Sequence, residues 1–238
     1  MPTPSYIITC TANRLIATDV YELHFTKPEG LSFIAGQFVL FDVPLLENPT
    51  DIQTRAYSIA SAPHEPDLLF VIKLTPNGRA SNWIEKAVHA GTTVRMQGPF
   101  GRFVLNTTSP LDYFFIATST GVAPFRSQIL SAVHQGDRRR MDLIYGVRSE
   151  ADLFWRDDFE QLAAHHPNLF VHLTMTQPSE EWRGLRGRVQ TIVPSIAPDM
   201  SKKNLYACGS PIMTKEIKTI ALSSWGMGKE QVHVEGYI

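Results

Sequence analysis

The chain reads as two domains: an N-terminal six-stranded antiparallel β-barrel, residues 1–107, followed by an α/β domain with a parallel sheet, residues 108–238. Three observations predict this. From Tyr6 to Gly98 the residues alternate with period two in short segments; Tyr21, Leu23 and Phe25, for example, stand against Val20, Glu22 and His24. Around Asn106-Thr107-Thr108-Ser109-Pro110 this turn-rich texture ends. Beyond it, apolar runs of strand length alternate with longer helical patterns, the order that builds a parallel sheet.

In the first half, besides the segment around Tyr21, strands are expected at 7–11, 37–43, 55–61, 68–74 and 93–97. They are separated by turns such as Lys27-Pro28-Glu29-Gly30 and Pro76-Asn77-Gly78. A helix is expected at 81–88, with Trp83, Ile84 and Ala87 on one face. In the second half, strands are expected at 113–117, 141–145, 169–174, 204–207 and 231–234, with helices at 124–134, 153–165, 189–196 and 211–224. Right-handed crossovers then put the loops that follow the strands on one edge, where open sheets bind nucleotides.

A length of 238 residues suits two domains, and 22 basic against 23 acidic residues announce neither nucleic acid nor an anionic membrane as partner. Cys10 and Cys208, the two cysteines, are too few and too far apart for a disulfide framework or an iron–sulfur or zinc site. The start Met1-Pro2-Thr3-Pro4-Ser5 lacks a leader pattern, and no apolar run reaches the ~18 residues of a membrane helix. The expectation is a cytoplasmic, monomeric protein without a metal.

Arg55-Ala56-Tyr57-Ser58 ends a strand with a cation, a flat ring and a hydroxyl, a set that suits a flavin nucleotide and also occurs in ordinary strands. Gly78-Arg79-Ala80-Ser81 opens a helix whose N–H groups, with the Ser81 hydroxyl, suit a pyrophosphate; alone it reads sooner as an N-capped turn without ligand. Thr118-Ser119-Thr120-Gly121-Val122-Ala123-Pro124 lies between a strand and a helix, with accessible donors at Thr120 and Gly121 and Pro124 in the first helical turn. Cys208-Gly209-Ser210-Pro211 repeats the strand-to-helix position, where the cysteine either faces the mouth of the sheet or sits, as most lone intracellular cysteines do, buried behind a tight turn. The chain closes with Glu235, Gly236, Tyr237 and Ile238.

In this order the motifs resemble the ferredoxin–NADP reductase superfamily over nearly the whole chain. The family carries Arg-x-Tyr-Ser, Gly-x-x-Ser, Gly-Pro-x-Gly, Thr-Gly-x-Ala-Pro and Cys-Gly-x-Pro. They match 55–58, 78–81, Gly98-Pro99-Phe100-Gly101, 120–124 and 208–211, with Gly36-Gln37-Phe38 matching the family's Gly-Gln-Phe. Two departures stand out: Ser119 replaces the glycine that usually precedes Thr-Gly, and the sequence ends Gly236-Tyr237-Ile238, so the aromatic is not the last residue.

The resemblance implies FAD as cofactor and NADH or NADPH as substrate. It assigns FAD and nucleotide binding to Arg55, Ala56, Tyr57, Ser58, Lys73, Gly78, Arg79, Ala80, Ser81, Thr120, Gly121, Pro124, Cys208, Gly209 and Tyr237, and catalysis to Ser58, Cys208 and Glu235. Tyr57 would stack on the isoalloxazine, Ser58 would orient the hydride-accepting end, Cys208 would touch the nicotinamide and Glu235 would relay protons. Electrons would then leave singly for a separate ferredoxin, flavodoxin or oxygenase component. Two alternatives are a reductase that uses free flavin as substrate and a non-catalytic nucleotide-sensing or assembly subunit. Arg148, Arg183, Arg186 and Arg188 are near in sequence to 174–181, but no arginine directly follows that strand, which favours NADH. The run Arg138-Arg139-Arg140 and the pair His165-His166 read as surface, the former also as a dock for an acidic carrier.

Overall fold

The computed structural model describes residues 3–237; Met1 and Pro2 of the leader reading, and Ile238, lie outside them. It divides into two compact units, Met1–Val104 with Arg126–Ser131, and Leu105–Phe125 with Ala132–Ile238.

The first unit comprises β1 (Ser5–Ala17), β2 (Val20–Thr26), β3 (Phe38–Leu45), β4 (Asn48–Ser58), β5 (Asp67–Lys73), α1 (Arg79–Lys86) and β6 (Thr93–Phe100). Its sheet is antiparallel, in the order β4-β3-β6-β1-β2-β5. The sheet curls so that Ala60, just past β4, donates its N–H to the Leu69 carbonyl of β5 at 2.8 Å. Alternation drives the curl: Leu23, Phe25, Phe41 and Phe70 all point inward, and the three phenylalanines meet edge to face with centroids 4.8 to 5.9 Å apart. Trp83 and Ile84 of α1 join this core, and Asn13 satisfies the helix's terminal carbonyls, donating to Ile84 O at 2.9 Å and Val88 O at 2.8 Å.

One strand differs from its sequence reading. The expected strand at 55–61 instead starts at Asn48 and stops at Ser58. Residues 48–54 are polar and include Pro49, a composition that reads as loop, yet pairing with β3 makes them an exposed edge strand.

The second unit comprises β7 (Asp112–Thr118), α2 (Ala123–His134), β8 (Met141–Val147), α3 (Arg156–His165), β9 (Leu169–Met175), β10 (Leu185–Arg186), α4 (Val189–Ile196), β11 (Lys203–Gly209), α5 (Pro211–Ser223) and β12 (Val232–Gly236), with residues 126–131 of α2 grouping with the first. Its sheet is parallel throughout, in the order β10-β9-β8-β7-β11-β12. The chain therefore reverses its direction of travel across the sheet between β7 and β11, the place where such sheets bind nucleotides. No helix among the described residues is long and apolar enough to cross a membrane.

Two sequence expectations are corrected here. The helix expected from Leu153 starts at Arg156, because Trp155 adopts a left-handed φ of 56° that no helix can run through. The Arg138-Arg139-Arg140 run is not simply solvated. Arg139 pairs with Asp137, donates to Asn106 O at 3.2 Å and lies 4.3 Å over the Tyr113 ring, while Arg140 bonds Asp142 at 2.8 Å and covers Phe170. Two of the three cations are therefore engaged with residues at the start of the sheet, while Arg138 and Arg140 remain exposed.

Candidate functional site

In the first unit, the flavin-motif residues sit at the end of β4. Register sets Ser58 opposite Phe38, Tyr57 opposite Val39, Ala56 opposite Leu40 and Arg55 opposite Phe41. Tyr57 is half-buried with its ring tilted against Phe41 at 5.1 Å, and Ser58 is half-buried beside it. Burial pushes the Tyr57 phenol up to about 12 against the opposing pull of the Arg55 charge, so the ring stays neutral. Arg55 is exposed, its guanidinium donating to Thr54 O at 2.8 Å and Gln53 Oε1 at 2.7 Å. Ala56 is exposed beside it, and Lys73 is exposed at the end of β5, the other outer strand of the sheet.

The Gly78 turn opens α1 with no side-chain cap at Gly78, so first-turn N–H groups of the helix remain for an anion. Its bareness is required: a Cβ at Gly78 would stand 2.6 Å from Thr75 Oγ1 and 2.9 Å from Ser81 Oγ. Two details depart from expectation. The Ser81 hydroxyl turns back to accept the Thr75 N–H at 2.8 Å, and Arg79 forms a two-pronged bond with Asp51 of β4, at 3.0 and 2.9 Å. Asp51 therefore joins the site, although nothing in its polar, loop-like sequence marked it. A half-buried neutral ring, an exposed arginine and an uncapped helix start are the donor set that a flavin dinucleotide takes.

In the second unit, two motifs far apart in sequence close on one another. β7 and β11 are neighbours, pairing Ala117 with Cys208, and β12 pairs Cys208 with Glu235 and Gly209 with Gly236. After β7, a 3-10 turn over Ser119–Val122 folds against the end of β11 so tightly that a Cβ on Gly121 would strike the Cys208 carbonyl. Gly209, at φ 132°, likewise meets Thr118, whose Oγ1 accepts the Ser210 N–H at 3.1 Å. Tyr237 N–H donates to Gly209 O at 2.8 Å. Thr120, Gly121, Pro124, Cys208, Gly209, Glu235 and Tyr237 are thus gathered at the strand ends flanking the reversal point. Thr118, which ties the two turns, escaped the sequence reading because a strand-end threonine carries no distinctive signal.

Of the two readings of Cys208 the buried one holds: β7 and β12 flank it and the Gly121 turn covers it, so it is not at the mouth. Burial pushes its thiol well up and the Glu235 charge adds to the effect, so it stays neutral and is not a nucleophile. Ser119 stands at φ 50°, the left-handed conformation that explains glycine's advantage there, and its Oγ is buried without a hydrogen-bond partner.

Comparison with known proteins agrees with both halves. Residues 8–105 match the oxidoreductase FAD-binding domain and residues 115–219 the oxidoreductase NAD-binding domain. Ferredoxin–NADP reductase B of Sorangium cellulosum is 32% identical over 235 residues, covering 95% of each chain. The reductase component of phenol 2-monooxygenase from a Pseudomonas species is 32% identical over 80% of this chain, which spans 54% of that longer protein. A ferredoxin NADP+ reductase from Neisseria gonorrhoeae, solved with FAD and NADP, superposes with a TM-score of 0.83 over 98% of both chains at 21% identity. The paired domains, the order of motifs and the end-to-end match establish that this chain belongs to the ferredoxin–NADP reductase family, an oxidoreductase that works with FAD and a nicotinamide nucleotide.

Proposed function

We propose that the chain holds FAD on residues 1–107, takes hydride from NAD(P)H bound on residues 108–238, and passes electrons singly to a separate carrier, a ferredoxin or flavodoxin or an oxygenase component. The observation that carries this reading is the convergence of Gly121, Cys208, Gly209 and Glu235 at the sheet's reversal point. Relatives that are themselves a ferredoxin–NADP reductase and an oxygenase reductase component support the choice of acceptor. Bound FAD supplies the conversion from two-electron to one-electron chemistry.

The chain's own residues orient the reactants. Tyr57 offers a neutral face for the isoalloxazine, and Arg55 with the open start of α1 takes the pyrophosphate. Ser58 donates a hydrogen bond at the hydride-accepting end of the ring. Cys208, buried and kept protonated, backs the strand ends on which the nicotinamide rests, and Glu235, its neighbour on β12, handles protons there. Alignment of the two rings carries most of the acceleration. Buried Cys10 and Cys208, neither in a disulfide, are in keeping with a reducing cytoplasm, where we expect a monomer.

Gel filtration followed by anaerobic titration with NADH and NADPH tests the reading. Yellow protein that bleaches with one equivalent of nucleotide is expected, and Ser58→Ala should slow bleaching by about tenfold or more. Colourless protein would favour free flavin as substrate, and yellow protein that neither nucleotide bleaches would favour a sensing subunit.

A further inference from the structure

The middle of α2 carries three consecutive polar side chains that the proposed function leaves unused. Arg126, Ser127 and Gln128 belong to the first unit, and each donates to a backbone carbonyl there. The Arg126 guanidinium donates to Ala60 O at 3.0 Å and forms a two-pronged bond with the Glu65 carboxylate at 2.8 and 2.9 Å. The Ser127 hydroxyl donates to Ser61 O at 2.7 Å, and the Gln128 amide to Phe103 O at 2.6 Å. Successive helical side chains point about 100° apart, so three in a row find partners only where the turn is enclosed. Ser127 and Gln128 are accordingly buried.

The carbonyls they hold flank the end of the flavin strand. Ser58 closes the β3–β4 ladder opposite Phe38. On the Ser58 side the chain continues through Ile59, Ala60, Ser61 and Ala62, all buried, with Ile59 N–H donating to Gln37 O at 3.0 Å and Leu69 N–H to Ser61 Oγ at 3.1 Å. On the Phe38 side, Gly36 packs so closely that a Cβ would stand 2.0 Å from Phe103 O and 2.4 Å from the Gln128 amide nitrogen. Both members of the terminal pair therefore lead, within a few residues, to backbone that α2 grips.

Glu65 makes the grip two-sided. Its Oε2 also accepts the Ala62 N–H at 2.5 Å, so the carboxylate closes the turn after the flavin strand while Arg126 fastens it. Lys27, just past β2, holds the same turn by donating to Glu65 O at 3.2 Å. Burial pushes the Glu65 carboxyl up, but the Arg126 hydrogen bond and charge outweigh that and hold it below the usual range, so the pair is ionised at neutral pH. The fork that meets Ala60 O and both carboxylate oxygens together is one that a lysine cannot reproduce.

We infer that Arg126, locked to Glu65, is a positioning residue for flavin reduction: it fixes the exit of the flavin strand and, through it, the Ser58 hydroxyl. Alignment is where such a residue acts, since a displacement of about 1 Å can cost on the order of 100-fold in rate. The inference rests on the reading that Ser58 meets the flavin, and goes beyond it by naming the groups that hold the serine in place.

Anaerobic stopped-flow reduction of the flavin-bound protein, with whichever nicotinamide nucleotide bleaches the wild type, separates alignment from binding. Arg126→Lys should lower the limiting rate about tenfold while the half-saturating nucleotide concentration stays within about twofold. Glu65→Gln, which keeps an acceptor for the Ala62 N–H, should act in the same direction by about threefold, and it decides the matter if Arg126→Lys does not fold. Added to Ser58→Ala, Arg126→Lys should cost less than about twofold more, because its route runs through the serine. Amide hydrogen exchange gives a readout apart from activity: residues 59–62 should exchange about tenfold faster in Arg126→Lys, with the β1–β2 ladder unchanged. Unchanged limiting rates in both variants, a loss carried by nucleotide binding instead, the full loss repeated on Ser58→Ala, or unchanged exchange at 59–62 would overturn the inference. Wild-type flavin that neither nucleotide bleaches, or Ser58→Ala that reduces as fast as wild type, would sink the underlying reading and the inference with it.

Discussion

The two halves of the candidate machinery are held by different physics. In the first unit, Arg55, Tyr57, Ser58 and the Gly78 turn lie on an edge strand and a helix start, exposed or half-buried, fastened by polar contacts such as the Arg79–Asp51 pair. In the second, Gly121, Cys208 and Gly209 are buried, and the turns that carry them interlock backbone against backbone. The first arrangement leaves donors open for a ligand; the second fixes a surface by leaving no room for any other. Substitutions should therefore act on ligand binding in the first unit and on folding in the second.

The largest effect is expected at Gly121. A Cβ there meets the Cys208 carbonyl and the Gly209 backbone, none of which can turn aside, so Gly121→Ala should cost about 3 kcal/mol, the upper range for overpacking. At Gly78 the obstructing atoms are mainly the Thr75 and Ser81 hydroxyls, which can rotate, and Gly78→Ala should cost about 1 kcal/mol while weakening FAD retention. Urea denaturation of the two variants compares them directly. Equal losses would mean that the two turns are equally rigid and would break the contrast.

Next comes Asp142, a buried residue of β8. Burial pushes its carboxyl up, but hydrogen bonds from Arg140 and His172 and the Lys203 charge outweigh that and hold it at about 2. A folded-state value below the unfolded one means stability that is complete above about pH 4 and is lost as pH falls through 2. The shift corresponds to ~2 kcal/mol. Asp142→Asn should lose about that much at pH 7 and approach the wild type near pH 2, as read by denaturation at both pH values. A difference that persists at low pH would mean packing, not charge, is what Asp142 supplies.

The same contrast explains what the sequence showed and what it hid. Buried parallel strands such as 113–117 and 141–145 announce themselves because both faces are apolar, and their helices follow from the 3.6-residue period. Each nucleotide-facing turn was visible as a strand-to-helix break, but their contact through Thr118 and Gly121 depends on strand order, which no local pattern encodes. The edge strand from Asn48 was invisible because pairing with β3, not composition, makes it a strand. Its Asp51 was hidden with it. The burial of Cys208 stayed one of two alternatives for a related reason: the strand on each side of it comes from elsewhere in the chain.

A smaller effect, of opposite sign, is expected at Ser119. The left-handed conformation at φ 50° costs a non-glycine residue about 1 kcal/mol, and the buried, unpartnered Oγ adds to the cost. Ser119→Gly should raise stability by about 1 kcal/mol, seen as a higher urea midpoint with an unchanged slope. If the midpoint falls instead, the serine hydroxyl has a partner in solution and the turn is held by more than its glycines.

The smallest change in stability belongs to Asp51, although its carboxyl, like that of Asp142, is held below the usual range by an arginine. The Arg79 hydrogen bond and charge lower it, but the Asp51 carboxylate is open to solvent although Arg79 is largely covered, and ion pairs with an exposed partner contribute little to folding and are screened by salt. Asp51→Asn should leave the thermal midpoint within about 1 °C of wild type. What it should change is the ligand: with its carboxylate partner neutralised, Arg79 at the open start of α1 presents its full charge to the FAD pyrophosphate. FAD should bind roughly threefold tighter at low salt, an advantage that shrinks as ionic strength rises. Equilibrium dialysis of the deflavinated variant across a salt series measures this. A clear drop in thermal midpoint with no gain in FAD affinity would show that the Asp51–Arg79 pair is structural, and that the first unit is braced in the same manner as the second.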